Sequence, residues 1–205
     1  MNRDFEPALD PIKITELRPT QMTVGYKEVT RKRTEWRERG QQGAEYLGRH
    51  LIPVVQGPSK RFYVIDHHHL VRALHEEGVT HVLTSQVADL SGLEKSAFWT
   101  FLDNRNWLHP FDASGRRRDY AELPKSIKGL ADDPYRSLAG EVRRAGGYAK
   151  VDTPYSEFLW ADFLRRRIDL KAVQGNFPKA VAKAAALAHG KAASYLPGWC
   201  GPSGD

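Results

Sequence analysis

The chain carries a single cysteine, Cys200, so no intramolecular disulfide can form. That excludes a small secreted domain stapled by disulfides, and a lone thiol fits a reducing compartment. Hydrophobic runs are short. None approaches the ~18 apolar residues of a spanning helix, so no membrane partner is expected. Residues 1–10 include Arg3, Asp4 and Glu6 and no apolar stretch, unlike a signal peptide, and a cytoplasmic location is expected. No Gly-x-Ser-x-Gly elbow, Walker loop or Gly-x-Gly-x-x-Gly fingerprint occurs, and neither Cys-x-x-Cys nor His-Glu-x-x-His is found. Internal repeats, low-complexity tracts and long linkers are also missing.

What is present is a globular composition, 40% hydrophobic and 27% charged over 205 residues. A chain of this size buries roughly 70% of its unfolded surface and folds without metal or disulfide support. The 31 Lys and Arg against 25 Asp and Glu leave a net charge of +6, compatible with a polyanionic partner.

Residues 12–17 read as a short strand leading into a turn at Arg18-Pro19-Thr20. Met22, Tyr26, Val29 and Trp36 follow at helical spacing with Thr23 as N-cap, and residues 31–39 are rich in arginine. Residues 51–56 and 61–66 are β-rich runs separated by Gly57-Pro58-Ser59-Lys60, the pattern of a hairpin. Asp66 then caps a short helix over 67–77 that ends at Gly78, and a strand returns over 80–87. Beyond Asp89 the pattern turns helical. Ser91-Gly92-Leu93-Glu94 reads as a capping box. Asp133-Pro134 opens a second helix closed by Gly146-Gly147, Thr153-Pro154 opens a third, and an Ala-rich helix covers 178–193. The expected architecture is α+β: a small mixed β-sheet with packed helices over 1–90, and a helical extension over 91–205 packed on that core.

The densest set of chemically useful residues is Asp66-His67-His68-His69-Leu70-Val71-Arg72. A buried strand ends there and a helix begins, so unpaired N–H groups and the positive end of the helix dipole favour an anion. His68, Arg72 and His75 share one helix face, while Leu70, Ala73 and Leu74 share another. Successive helical residues point ~100° apart, so the three histidines cannot converge on one ion and no metal site is expected. The residues alone leave two readings open: an anion-binding or catalytic turn, and imidazoles that pack and cap. The aromatic residues Phe98, Trp99, Phe101, Trp107 and Phe111 around His109 read as core before they read as a base-stacking platform. The runs 116–118 and 165–167 read as surface charge.

Two segments, Leu17-Arg18-Pro19-Thr20-Gln21-Met22-Thr23-Val24-Gly25 and Val64-Ile65-Asp66-His67-His68-His69-Leu70-Val71-Arg72-Ala73-Leu74, resemble the ParB-like nuclease family. The likeness continues through Asp132-Asp133-Pro134-Tyr135-Arg136 and Glu157-Phe158-Leu159-Trp160. This family is similar to ParB N-terminal domains, sulfiredoxins and free serine kinases. The resemblance implies a site for ATP, ADP or CTP, with magnesium, where the strand ending at Asp66 meets the following helix. In the active relatives a Gly-x-His-Arg element lies there. Its glycine falls at His67, its histidine at His69 and its arginine at Leu70, with Arg72 a turn away. The free serine kinases carry a catalytic glutamate where Gln21 stands here. An amide cannot take a proton at neutral pH, and Glu28 is the nearest acid downstream.

The expected function is therefore binding of a nucleotide or phosphorylated small molecule, with phosphoryl or phosphodiester transfer as the reaction. Asp66, His68 and His69 form the expected catalytic set. Thr20, Gln21, Lys27, His67 and Arg72 are expected to hold the ligand. The competing expectations are a DNA-binding protein or nuclease using the arginine-rich stretches, and a sensor that binds without turnover.

Overall fold

The computed structural model describes residues 11–39 and 43–202. In chain order the strands are β1 (Pro11–Lys13), β2 (Arg18–Pro19), β3 (Thr23–Val24), β4 (Ile52–Gly57), β5 (Arg61–Val64), β6 (His81–Asp89) and β7 (Ala131–Asp132). The helices are α1 (Tyr26–Glu38), α2 (Gly43–Arg49), α3 (His68–Glu76), α4 (Lys95–Asn104), α5 (Pro134–Arg144), α6 (Ser156–Arg165), α7 (Leu170–Gly175) and α8 (Phe177–His189). The described residues form two compact units. One gathers residues up to Met22, Thr30–Pro110 and Arg118–Leu130, and the other Thr23–Val29, Phe111–Arg117 and the chain from Ala131 onward. The expected boundary after residue 90 does not coincide with this division. α4 and residues 118–130 belong with the sheet, because Phe98, Trp99, Leu102 and Leu123 share one core with Val55 and Tyr63.

In the sheet unit five strands lie in the order β1-β6-β4-β5-β2. The hairpin read from the sequence forms: β4 and β5 are antiparallel, with Val54 opposite Val64 and Gly57 opposite Arg61. A Cβ at position 57 would lie 2.7 Å from the rings of Phe98 and Tyr63, so glycine lets the strand close on this aromatic pair. β6 returns parallel to β4 after α3, whose Leu70, Val71, Ala73 and Leu74 are buried. β1 runs antiparallel to β6, and β2 runs parallel to β5. The sheet is thus mixed, and the architecture is α+β as expected.

Several local expectations shift by a few residues. Glu94 stands at the N-cap of α4 without a side-chain cap bond, so the capping box at 91–94 does not form. His67, not Asp66, is the N-cap of α3. Residues 14–16, read as strand, make a 3-10 turn after β1.

In the second unit β3 and β7 pair in parallel, with Val24 opposite Asp132. Thr23 therefore lies in a strand and not at a helix cap. The N–H of Tyr26 donates instead to the Asp132 carboxylate (2.8 Å). Asp133 caps α5 as expected, its Oδ1 accepting from the N–H of Tyr135 (3.0 Å). α5, α6 and α8 enclose a core built on Trp160, which stacks on Tyr148 at a centroid distance of 4.2 Å.

Candidate functional site

Because β2 runs parallel to β5, with Pro19 opposite Val64, both strands deliver their C-terminal ends to the same edge of the sheet unit. Thr20 follows β2 and is fully buried there. Its hydroxyl donates to the Val64 carbonyl (2.9 Å), and its backbone N–H donates to Nε2 of His68 (3.2 Å). Since Nε2 accepts, this bond assigns His68 the neutral tautomer with its proton on Nδ1. A third segment joins them. The N–H of His109 donates to the Thr20 carbonyl (2.9 Å), and Gln21 and His109 form a parallel bridge. Three stretches distant in sequence thus meet at the start of α3.

At that start the backbone passes through His67 with φ 63°, and the Asp66 carboxylate accepts from the His67 N–H (2.6 Å). The left-handed conformation favours glycine, the residue that the resembling element carries at this position. The backbone shape of the turn is retained here with an imidazole in place of the glycine. Asp66 and His67 are exposed, and His69 is half-buried. Leu70, at the position of the element's arginine, is only 4% exposed and belongs to the core.

The other expected ligand residues are placed differently. Thr20 and Gln21 are buried, so they frame the turn from behind. His68 is also buried and ties the frame to α3. The Arg72 guanidinium, expected on a phosphate, donates to the carbonyls of Lys128 (3.1 Å) and Leu130 (2.6 Å) and to Glu76 (2.8 Å). It clasps residues 127–130 against α3, a partner more than 50 residues away that helical spacing cannot reveal. Lys27 belongs to the other unit, where its N–H donates to the Ser137 hydroxyl (3.2 Å) and its Nζ lies over the Phe177 ring (4.4 Å). Glu28, in that unit too, pairs with Arg144 (2.8 Å). His109 is the residue that the site reading missed. It lay among aromatic residues, and nothing in its spacing linked it to Thr20.

Among the described residues no group of three or more His, Cys, Asp or Glu side chains is placed to hold a metal ion. His67 is exposed and His68 is buried. The arginine-rich stretches are largely neutralised. Arg31 and Lys32 pair with Glu35, Arg33 with Glu76 and Glu77, and Arg37 with Glu77. Arg118 pairs with Glu122, Arg165 with Asp133, and Arg166 with Asp162.

A mixed sheet with a strand-to-helix turn against the end of a parallel edge strand defines an α+β protein of the kind that the sequence resembled. The chain belongs to the family described as "Putative ParB-like nuclease", whose model matches residues 11–166. It is also similar to a solved structure, the crystal structure of protein Atu1540 from Agrobacterium tumefaciens. The two chains are 56% identical with a TM-score of 0.90, over 97% of this chain and 100% of the other. No curated protein matches the chain. No described helix is long and apolar enough to cross a membrane.

Proposed function

We propose that the turn Asp66–His69 binds the phosphate of a nucleotide or other phosphorylated small molecule. The observation that carries this reading is the meeting of Thr20, His68 and His109 beneath the N-terminal turn of α3, which leaves Asp66, His67 and part of His69 facing outward. A helix start attracts an anion through its dipole and its terminal N–H groups. His67 supplies a donor from a strained but fixed backbone. His69, at the position of the relatives' histidine, is the acid or base for phosphoryl or phosphodiester transfer. Asp66 orients the turn through its bond to the His67 N–H. Thr20, Gln21 and His68 act as the frame.

Thermal shift with ATP, ADP, CTP and inorganic phosphate tests the reading. A ligand at 100 times its dissociation constant adds about 2.7 kcal/mol, which for a chain of this size raises Tm by roughly 5 to 11 °C. His69→Ala should keep the circular dichroism spectrum and lose the shift given by inorganic phosphate and any product. An unchanged phosphate shift in that variant removes the proposal. A shift without product in the wild type points to a sensor.

The family's description favours a second reading, DNA binding or hydrolysis. Its expected surface is the arginine-rich stretch of α1 and the later runs at 116–118 and 165–167, where Glu35, Glu76, Glu77, Glu122, Asp133 and Asp162 already meet several of the cations. For that reason the small-ligand reading stands first.

A further inference from the structure

We infer that the sheet unit holds a second ligand site, a basic cleft with an aromatic wall that takes a nucleoside phosphate or a molecule of the same chemistry, a planar ring bearing two or more negative charges. The inference does not depend on the turn at Asp66–His69.

The cleft encloses about 470 Å³, within the ~300–1,000 Å³ range usual for small-molecule sites. Its cations are Arg18 on β2, Arg61 on β5, Lys95 at the start of α4, and Lys125 in the loop after the 3-10 turn Tyr120–Glu122. No described Asp or Glu lines it. None of the four has a carboxylate partner among the described residues, although elsewhere in this unit the arginines of α1 are paired. Four like charges around one concavity repel each other and focus a positive potential into it. An anion there removes that repulsion.

The wall gives the ring its place. Trp99 meets Tyr63 edge-on at 5.4 Å between centroids and lies nearly parallel to Tyr120 at 6.0 Å. Tyr120 is half-buried and anchored by its hydroxyl to the Asp103 carboxylate (2.7 Å), so its ring is held for a planar partner to stack upon. The Trp99 Nε1–H is buried with no hydrogen-bond partner among the described residues. Pro58 and Ser59 close the rim. Ser59 and the adjacent Lys60 hold φ of 60° and 54°, which fixes the hairpin loop in an uncommon conformation beside the cleft. The sequence reading took Phe98 and Trp99 as core, and both are buried there with Tyr63, which leaves Tyr120 as the half-buried ring at the cleft. What sequence could not show is that four cations without a carboxylate partner among the described residues line the same cleft.

Titration calorimetry near 100 mM salt with ADP, pyrophosphate and adenosine tests the site in three proteins: wild type, the double variant Arg61→Glu with Lys125→Glu, and His69→Ala. Arg61 and Lys125 are exposed, so charge reversal should leave the circular dichroism spectrum unchanged, and Lys95→Glu alone is the second variant should the pair fail to fold. ADP should bind wild type, weaken at least tenfold in the cleft variants and keep its cleft affinity within twofold in His69→Ala. Pyrophosphate and adenosine should each bind at least tenfold more weakly than ADP. Two sites per chain, each removed by its own variant, support the cleft and the turn together. Loss only in the cleft variants supports the cleft and removes the turn. Loss only in His69→Ala overturns the cleft, as does pyrophosphate binding as tightly as ADP, or no ADP binding at millimolar concentration.

Discussion

His67 shows what a single residue does at the candidate turn. Its φ of 63° places a side-chain-bearing residue in the left-handed region, where the cost relative to helical backbone is about 1–2 kcal/mol and is lowest for Gly, Asn, Asp and His. His67→Gly should therefore change stability by less than about 0.5 kcal/mol, because relief of strain offsets the entropy of glycine. His67→Val, a β-branched residue in the same conformation, should lose about 1–2 kcal/mol. Urea midpoints of the three proteins measure the difference. Equal losses in both variants would mean that the imidazole's contacts, and not the backbone, hold the turn. With stability nearly constant in His67→Gly, any fall in phosphate affinity belongs to the missing donor. His68 and Arg72 teach the complementary lesson. Their shared helix face was legible from spacing alone, but the face turns inward, to the Thr20 N–H and to the carbonyls of residues 127–130. Spacing gives the face and not what the face meets.

At the scale of elements, the arginine-rich part of α1 is held to the end of α3. The Glu77 carboxylate accepts from Arg37 (2.6 Å) and Arg33 (2.6 Å), and those bonds hold its carboxyl below the ordinary 4.5, Arg37 contributing most. A depressed folded value means that the ion pair stabilises the fold above the unfolded pKa and that this stability is lost as pH falls through the folded value. Denaturant midpoints from pH 7 down to pH 3 should fall less steeply below pH ~4.5 in Glu77→Gln than in wild type, with Glu77→Gln the weaker protein at pH 7. Parallel curves would mean that Glu77 has no share in the acid limb. The hairpin, α3, β6 and the Asp133-capped α5 were legible because each carries its own punctuation: Pro58 in a tight loop, Gly78 after a helix, Asp before Pro. β3 and the true cap of α1 were not, since Val24 pairs with Asp132 and Tyr26 bonds to the same residue more than 100 positions away. α2 and α7, of seven and six residues, are too short for a hydrophobic period to declare itself.

For the whole molecule the deciding quantity is where the charge of +6 is free. By sequence alone the arginines of α1 and the runs at 116–118 and 165–167 all stand as basic stretches that a polyanion could meet, the two runs reading first as surface charge. Folding changes that by matching Arg33 and Arg37 to Glu77, Arg118 to Glu122, and Arg165 to Asp133, pairings that sequence order does not display. The four cations of the cleft keep no such partner among the described residues. The consequence is measurable through salt. Each phosphate neutralised on duplex DNA contributes about −0.9 to the slope of log affinity against log salt concentration, so binding through the four cleft cations alone sets a ceiling near −3.6. Fluorescence anisotropy of a labelled duplex between 50 and 200 mM salt should give a slope no steeper than that ceiling. A slope beyond about −5 requires contact with six or more phosphates, more than the four cations of the cleft can supply, so it would bring in basic residues outside the cleft. That outcome would reverse the order of the two functional readings, because it would place the main contact with nucleic acid outside the cleft. A shallow slope that flattens further in the Arg61→Glu, Lys125→Glu variant would instead assign the residual polyanion affinity to the cleft.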